Sequence, residues 1–158
     1  MKIHLIKMAA GIGSLGELRQ RQSDRLSKSG KSRGKLYTYT RNMPKRVSEL
    51  TEGGSIYWVI KRFIRARQKI ISVEKKTNEE GRVFCAINLD RELIPVIPRR
   101  QKSFQGWRYY KDEETPGDID RSGSINFENQ EAKGPLAKNF KKEKLQALIK
   151  ENNFNQKD

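Results

Sequence analysis

The sequence predicts an α+β domain built on a small, bent or barrel-like antiparallel sheet with two or three short helices. Short apolar segments rich in β-branched and aromatic residues outnumber helix-like segments, and polar or glycine turns separate them. One such turn, Gly53-Gly54, ends a short helix and precedes an apolar strand. Only the first 111 residues have this character, which is enough chain to bury a modest core.

The clearest local signals lie between residues 40 and 71. Pro44 suits the first turn of a helix over 45–50, because proline lacks the N–H that has no partner there. The apolar run at 56–60 is β-branched and aromatic, which predicts a buried strand. The strand that follows carries Arg65, Arg67 and Lys69. Because residues two apart share a face of a strand, we expect these three cations to lie side by side.

The other elements follow from the same kinds of pattern. Ser14 begins a helix, since Glu17 three residues later completes a capping box. Further strands are expected over 1–8, 35–41, 68–76, 82–89, 94–98 and 99–110. Prolines in the run at 94–98 make that segment an edge strand or a connector.

Charge divides the chain into three parts. Residues 1–111 hold 26 Lys and Arg against 9 Asp and Glu, and we interpret them as the folded domain. Residues 112–134 are acidic and loop-like, which predicts a mobile linker. Residues 135–150 predict a basic amphipathic helix that begins at a proline.

The net charge of +15 calls for a polyanionic partner, with nucleic acid first and an anionic membrane surface second. No apolar run approaches the roughly 18 residues of a spanning helix. Lys7 splits the apolar N-terminal run, so a first strand is favoured over a secretory signal. Cys85 is the only cysteine, which suits a reducing compartment. We therefore expect a cytoplasmic protein.

Candidates for small-molecule chemistry are few. The G-x-G-x-x-G string at 11–16 resembles a dinucleotide-binding turn, but no acid lies between Asp24 and Glu49 to hold a ribose. His4 and Cys85 each stand alone, so neither a metal cluster nor a Cys/His pair is available within the chain. His4 is interpreted as a structural polar contact and Cys85 as core. The sequence predicts no cofactor, no metal and no catalytic residue.

Basic residues interleaved with aromatic ones form the stronger signal, because cations contact phosphates and exposed rings stack on bases. Trp58 lies in an apolar run and is expected in the core, whereas Trp107 follows a glycine among polar residues. The predicted nucleic-acid contacts are Arg41, Lys45, Arg46, Arg65, Arg67, Lys69, Arg99, Arg100, Gln105, Trp107 and Arg108. Gln105 and Trp107 are assigned to bases and the cations to phosphates.

Three strings are specific enough to carry a resemblance. They are the opening IHLIKMAAGIGSLGEL, the run TRNMPKRVSELTEGGSIYWVIKRFIRARQKI and the string SFQGWRYY. Over about residues 1–111 they resemble a bacterial family of uncharacterised proteins, domain-of-unknown-function family 1489, which implies no activity. A looser resemblance, to PUA-type and ASCH-type small barrels, implies a PUA-like pseudo-barrel that binds RNA.

These observations favour a non-catalytic RNA-binding module that recognises structured or ribosomal RNA. One alternative is an enzyme of RNA or nucleotide metabolism that uses a lysine or a carboxylate, with Glu49, Glu52 and Glu74 as the carboxylates to test. Another is an adaptor that contacts a protein or membrane surface through the C-terminal helix. The acidic stretch 112–131 is expected to fold back onto the basic face when no nucleic acid is bound.

Overall fold

The computed structural model describes residues 2–27 and 34–119. The strands of this part of the chain are β1 (Ile3–Met8), β2 (Leu36–Thr40), β3 (Ser55–Ile60), β4 (Phe63–Thr77), β5 (Val83–Leu89), β6 (Ile94–Arg100) and β7 (Trp107–Lys111). The helices are α1 (Leu15–Ser27), α2 (Val47–Thr51) and a 3-10 turn (Asp112–Glu114). The predicted C-terminal helix over 135–150 lies outside the described residues.

All these strands belong to a mixed sheet that is not closed. The strand order is β2–β5–β4–β3–β1–β7, and β6 lies beside β4. The pair β1 and β3 is parallel, whereas the other pairs are antiparallel. The antiparallel prediction is therefore wrong for one pair, because α1, β2 and α2 form a crossover that returns the chain in the same direction. The finer resemblance to a PUA barrel stays a prediction.

Helix α1 begins where the capping pattern predicts. The Glu17 backbone N–H donates to Ser14 Oγ (3.1 Å), and Glu17 Oε2 accepts from the Gly13 N–H (2.8 Å). The reciprocal bond thus reaches back one residue further than in the usual capping box. Leu15 and Leu18 are buried, so the apolar stripe of α1 faces the sheet.

A first apolar core lies between the sheet and the two helices. It includes Leu5 of β1, Leu50 of α2, Ile56 and Trp58 of β3, and Cys85 of β5. The predictions that Trp58 and Cys85 are core residues are confirmed, since their exposed fractions are 5% and 0%. Burial also raises the pKa of the Cys85 thiol.

A polar network lies inside this first core. Gln68 of β4 is fully buried, and its Oε1 accepts from the Trp58 indole N–H (2.8 Å) and from Gln22 Nε2 of α1 (2.8 Å). Its Nε2 donates to Gln22 Oε1 (2.9 Å) and to the Asp90 carbonyl (3.1 Å). The network ties α1 to β3 and β4, since each of these buried polar atoms would otherwise lack a partner.

A second apolar core lies on the other face of the sheet. It contains Ile6, Tyr57, Val59, Ile64 and Val96, which come from β1, β3, β4 and β6. Partly buried Met8, Phe104 and Tyr110 pack against it. Both faces of the central strands are therefore covered, which explains why β3 is buried at every position.

Residues 112–119, here called the closing segment, run from the end of β7 to the edge of β6. The Ile97 N–H donates to the Gly117 carbonyl (2.8 Å), and the Ile119 N–H donates to the Pro95 carbonyl (2.9 Å). Asp118 forms a bridge with Val96. The acidic linker expected from residue 112 thus begins with a folded segment, and the end of the domain stays a prediction.

His4 fixes the start of the closing segment. Its exposed fraction is 4%, the Ser55 N–H donates to its Nδ1 (2.9 Å), and its Nε2 lies 2.7 Å from Asp112 Oδ1. Because Nδ1 accepts, Nε2 carries the proton and donates to Asp112. This confirms the interpretation of His4 as a structural contact. Burial lowers the pKa of His4 below its ordinary value, although Asp112 acts in the opposite direction.

This geometry makes the stability of the protein depend on pH. Protonation at Nδ1 would place two N–H groups against each other, so the folded chain takes up this proton only at lower pH than the unfolded chain does. The unfolded state then binds more protons below about pH 6.5. We expect the free energy of unfolding to be greatest well above that value and to fall steadily as the pH drops through and below it.

Urea titrations of the wild type and of His4→Gln at several pH values measure this effect. The glutamine does not titrate, so the variant should lose less stability across the same window, although it is the less stable protein at pH 7. Parallel curves for the two proteins would contradict the assignment of His4 as neutral and buried.

Candidate nucleic-acid interface

The predicted row of cations on β4 does not form. Trp58 pairs with Ala66, whereas the next residue, Val59, pairs with Ile64, so Arg65 is an extra residue in a β-bulge. Arg65 is only 6% exposed, and its Nε donates to the Ile60 carbonyl (3.2 Å). The prediction that Arg65 shares an exposed face with its neighbours is wrong, because the bulge breaks the alternation.

Arg67 holds the closing segment. Its Nε and Nη2 donate to the two carboxylate oxygens of Asp118, each at 2.7 Å, and its Nη1 donates to Ser55 Oγ (2.9 Å). The hydrogen bonds with Asp118 raise the pKa of Arg67 above its ordinary value. A bidentate pair of this kind adds both energy and geometric specificity, so Arg67 is engaged within the fold. Lys69 is exposed two residues further along β4, opposite Ser55.

The described part of the acidic stretch therefore does contact one of the predicted phosphate-binding cations, since Asp118 binds Arg67. The proposal that this contact competes with RNA stays a prediction, since the half-buried Arg67 and the exposed Asp118 contribute to the fold itself.

The loop that joins β2 to α2 packs against β7. The Tyr109 hydroxyl accepts from the backbone N–H groups of Lys45 (2.8 Å) and Arg46 (3.1 Å). The indole N–H of Trp107 donates to the Asn42 carbonyl (2.8 Å). The two rings stand edge to face, with their centroids 4.9 Å apart. Two of the basic segments predicted from the sequence are thus brought together.

We call this group the basic–aromatic surface. It consists of Lys45, Arg46, Trp107 and Tyr109, together with Arg41, which precedes Asn42 in the same loop. The three cations are exposed, Tyr109 is 36% exposed, and Trp107 is half-buried. The Arg46 guanidinium also stacks over the Tyr109 ring, at 5.6 Å from its centroid.

Charge on this surface is only partly neutralised. Arg46 forms an ion pair with Glu49 in the first turn of α2, which lowers the pKa of Glu49. Among residues 2–27 and 34–119, neither Arg41 nor Lys45 takes part in an ion pair. Two side chains therefore remain available for anionic groups of a ligand.

The remaining predicted residues lie elsewhere. Arg108 is on the opposite face of β7 from Trp107 and stacks over the Phe104 ring at 4.6 Å. Arg99 of β6 is half-buried and donates to the Tyr110 hydroxyl (3.1 Å). Arg100 is exposed at the end of β6, and Gln105 is exposed in the turn before β7. The predicted set is thus divided between two faces of the sheet.

Tyr109 is the member of the surface that the sequence assignment missed. It stands two residues after Trp107 on the same strand, so the alternation of side chains already placed the two rings on one face. The bond from its hydroxyl to the loop has no signal in the sequence, because the partners are more than 60 residues apart.

Two classes of site receive no support from the described residues. Nowhere in 2–27 and 34–119 do three His, Cys, Asp or Glu side chains come together as a metal ion would need. The helices of the same part of the chain are too short and too polar to cross a membrane.

Comparison with known proteins adds a family but no activity. A family described as "Protein of unknown function (DUF1489)" matches residues 5–142. No curated protein and no solved structure matches the chain. The match confirms the family resemblance found in the sequence and extends it past residue 111, through the acidic stretch.

Proposed function

The chain belongs to the DUF1489 family, and because membership supplies no activity, we propose from the geometry that it is a non-catalytic RNA-binding module. Cations of the basic–aromatic surface contact phosphates, and its two rings present faces to unpaired bases. Structured RNA with loops or bulges, ribosomal RNA included, offers both kinds of group.

The contact between Tyr109 and the loop is the observation that carries this proposal. One hydroxyl accepts from the N–H groups of both Lys45 and Arg46, so the backbone that bears these two cations is held in place. The Trp107 indole fixes the same loop through Asn42. Binding by a prearranged surface loses less conformational entropy than binding by a free loop.

The charge of the rest of the domain supports the same proposal. The 26 Lys and Arg of residues 1–111 far exceed their 9 Asp and Glu. An excess of this size attracts a polyanion over a distance, while the basic–aromatic surface decides where it is held.

The alternatives rest on weaker grounds. Glu49 is occupied by Arg46, and Glu74 lies 3.5 Å from the Lys76 ammonium, so these carboxylates have separate local partners. Glu52 is exposed at the end of α2. The adaptor helix falls outside the described residues. An enzyme and an adaptor both stay predictions.

Fluorescence anisotropy of a labelled stem-loop RNA with the full-length protein, over a salt series, tests the proposal. We expect binding that weakens as salt rises. In Arg41→Gln/Lys45→Gln the log–log slope should become shallower by about 0.7–0.9 for each phosphate that is no longer neutralised. In Trp107→Leu, affinity should fall by about 1–3 kcal/mol, because a base can no longer stack on the indole.

A charge-matched control uses Lys2→Gln/Lys75→Gln, which removes two exposed cations outside the surface. This variant should show a smaller decrease in affinity and a nearly unchanged slope. Absence of binding at about 50 mM salt, or equal decreases in the two double variants, would overturn the proposed interface.

A further inference from the structure

A cavity of about 230 Å³ opens between α1 and the ends of β1 and β2. Its walls carry three cations and three aromatic rings. They are Lys7, Arg21, Arg25, Tyr37, Tyr39 and Trp58. None of the residues known to line the cavity, all within the described part of the chain, is acidic.

Lys7 is the most unusual member. It is half-buried, and its ammonium lies over the Trp58 ring, 5.5 Å from the centroid. Burial lowers the pKa of Lys7, and the charge of Arg25 lowers it further. Within residues 2–27 and 34–119, Lys7 has no ion pair, and a ring face replaces only part of the lost hydration.

The two arginines add to this positive charge, and of the two only Arg21 has an acidic partner in the described part of the chain. Arg21 reaches the Glu17 carboxylate only at 3.4 Å, and Arg25 forms no ion pair among the described residues. Residues 28–33, which follow α1 in the sequence, include no Asp or Glu that could provide a counter-charge. Three cations around one small space repel each other, and a bound anion would relieve that repulsion.

We propose that this cavity binds a phosphate monoester, with Lys7, Arg21 and Arg25 around its oxygens. A doubly ionised phosphate offers three acceptor oxygens and enough negative charge for three cations. The volume is below the roughly 300 Å³ at which drug-sized pockets begin, so it suits a phosphate with its sugar rather than a whole dinucleotide.

The cavity adjoins the basic–aromatic surface. Lys7 pairs with Trp107 across β1 and β7, so their side chains lie next to each other on one face of the sheet. Strand β2, which forms the wall with Tyr37 and Tyr39, leads directly into Arg41. On the proposed function, which this step assumes, the ligand is the terminal phosphate of a bound RNA strand. A free nucleoside monophosphate has the same chemistry.

Two measurements on the full-length protein separate these sources. The first compares the affinity of oligoribonucleotides that carry a 5′-phosphate, a 3′-phosphate or only hydroxyl ends. We expect one phosphorylated end to bind about tenfold more tightly, the equivalent of one charge-assisted hydrogen bond. The second follows the melting temperature with inorganic phosphate or adenosine monophosphate against chloride at equal ionic strength, and we expect a rise.

Lys7→Met keeps the apolar stem and removes the charge. It should abolish both the preference for a phosphorylated end and the rise in melting temperature, while hydroxyl-ended RNA binds within about threefold of wild type. Should this variant fail to fold, Arg25→Gln, at an exposed position of α1, replaces it and should weaken both effects.

The outcomes distinguish this proposal from the RNA-binding one. If phosphate raises the melting temperature, Lys7→Met abolishes that rise and no RNA binds, the phosphate site in the cavity is supported and the RNA-binding function is overturned. RNA binding that is indifferent to terminal phosphates, together with an unchanged melting temperature in phosphate, overturns the cavity site alone.

Discussion

Replacing Gly54 with alanine should lower the free energy of unfolding by about 3 kcal/mol, because the new methyl group has no room. A Cβ at this position would lie 2.4 Å from the carbonyl oxygens of both Ile3 and Leu50. Both obstacles are backbone atoms, so relief requires β1 or α2 to move. The Gly54 N–H also donates to the Leu50 carbonyl (2.9 Å), and any shift would stretch this bond.

Chemical denaturation of Gly54→Ala beside Gly117→Ala measures this effect. Gly117 is the matched control, since a Cβ there would stand 3.9 Å from the Ile97 side chain, an ordinary van der Waals distance. The control should change stability by less than about 1 kcal/mol. A small effect at Gly54 would mean that β1 and α2 are less closely packed than described.

Gln68→Leu should have a comparable cost, again about 3 kcal/mol, although leucine fits the volume. The substitution leaves the Gln22 amide, the Trp58 indole N–H and the Asp90 carbonyl without their partner in a buried site, and each unsatisfied group costs about 1–3 kcal/mol. Tryptophan fluorescence follows the unfolding, and in a Trp107→Phe background it also reports the change at the Trp58 indole N–H.

A double-mutant cycle sharpens this test. Gln22→Leu/Gln68→Leu should cost less than the sum of its single variants, because the second change removes a group that the first left unsatisfied. Gln20→Leu, at an exposed position of the same helix, should stay within about 0.5 kcal/mol of wild type. If the free-energy costs of the two single variants simply added, the hydrogen-bond network between Gln22 and Gln68 would be contradicted.

Local patterns in the sequence predicted the elements well, for physical reasons. The cap at Ser14 depends on residues within one turn, and it is found at that place. The Gly53-Gly54 turn and the apolar run after it are likewise short-range signals, and α2 and β3 flank that turn. The order of strands in the sheet, with β1 beside β3, depends on contacts between distant residues and was not predicted.

The candidate site was harder to predict, for two reasons. Alternation along β4 assigned Arg65 to an exposed face, but a single extra residue in the strand turned it inward. The partner of Arg67 is Asp118, 51 residues away, and no pattern near Arg67 in the sequence indicates this pair. By contrast, Lys45 and Trp107 do contribute to one surface, which composition alone could suggest only as a hypothesis.

The closing segment also covers a sheet edge that would otherwise be open to pairing with another molecule. Among the strands of residues 2–27 and 34–119, β6 pairs only with β4, so without the closing segment its other edge would expose the Pro95 carbonyl and the Ile97 N–H to a strand of another molecule. Residues 117 and 119 occupy those two groups. A shortened protein that stops at residue 111 would leave these backbone groups of β6 unpaired and should aggregate. A stable shortened protein therefore has to include residues up to 119.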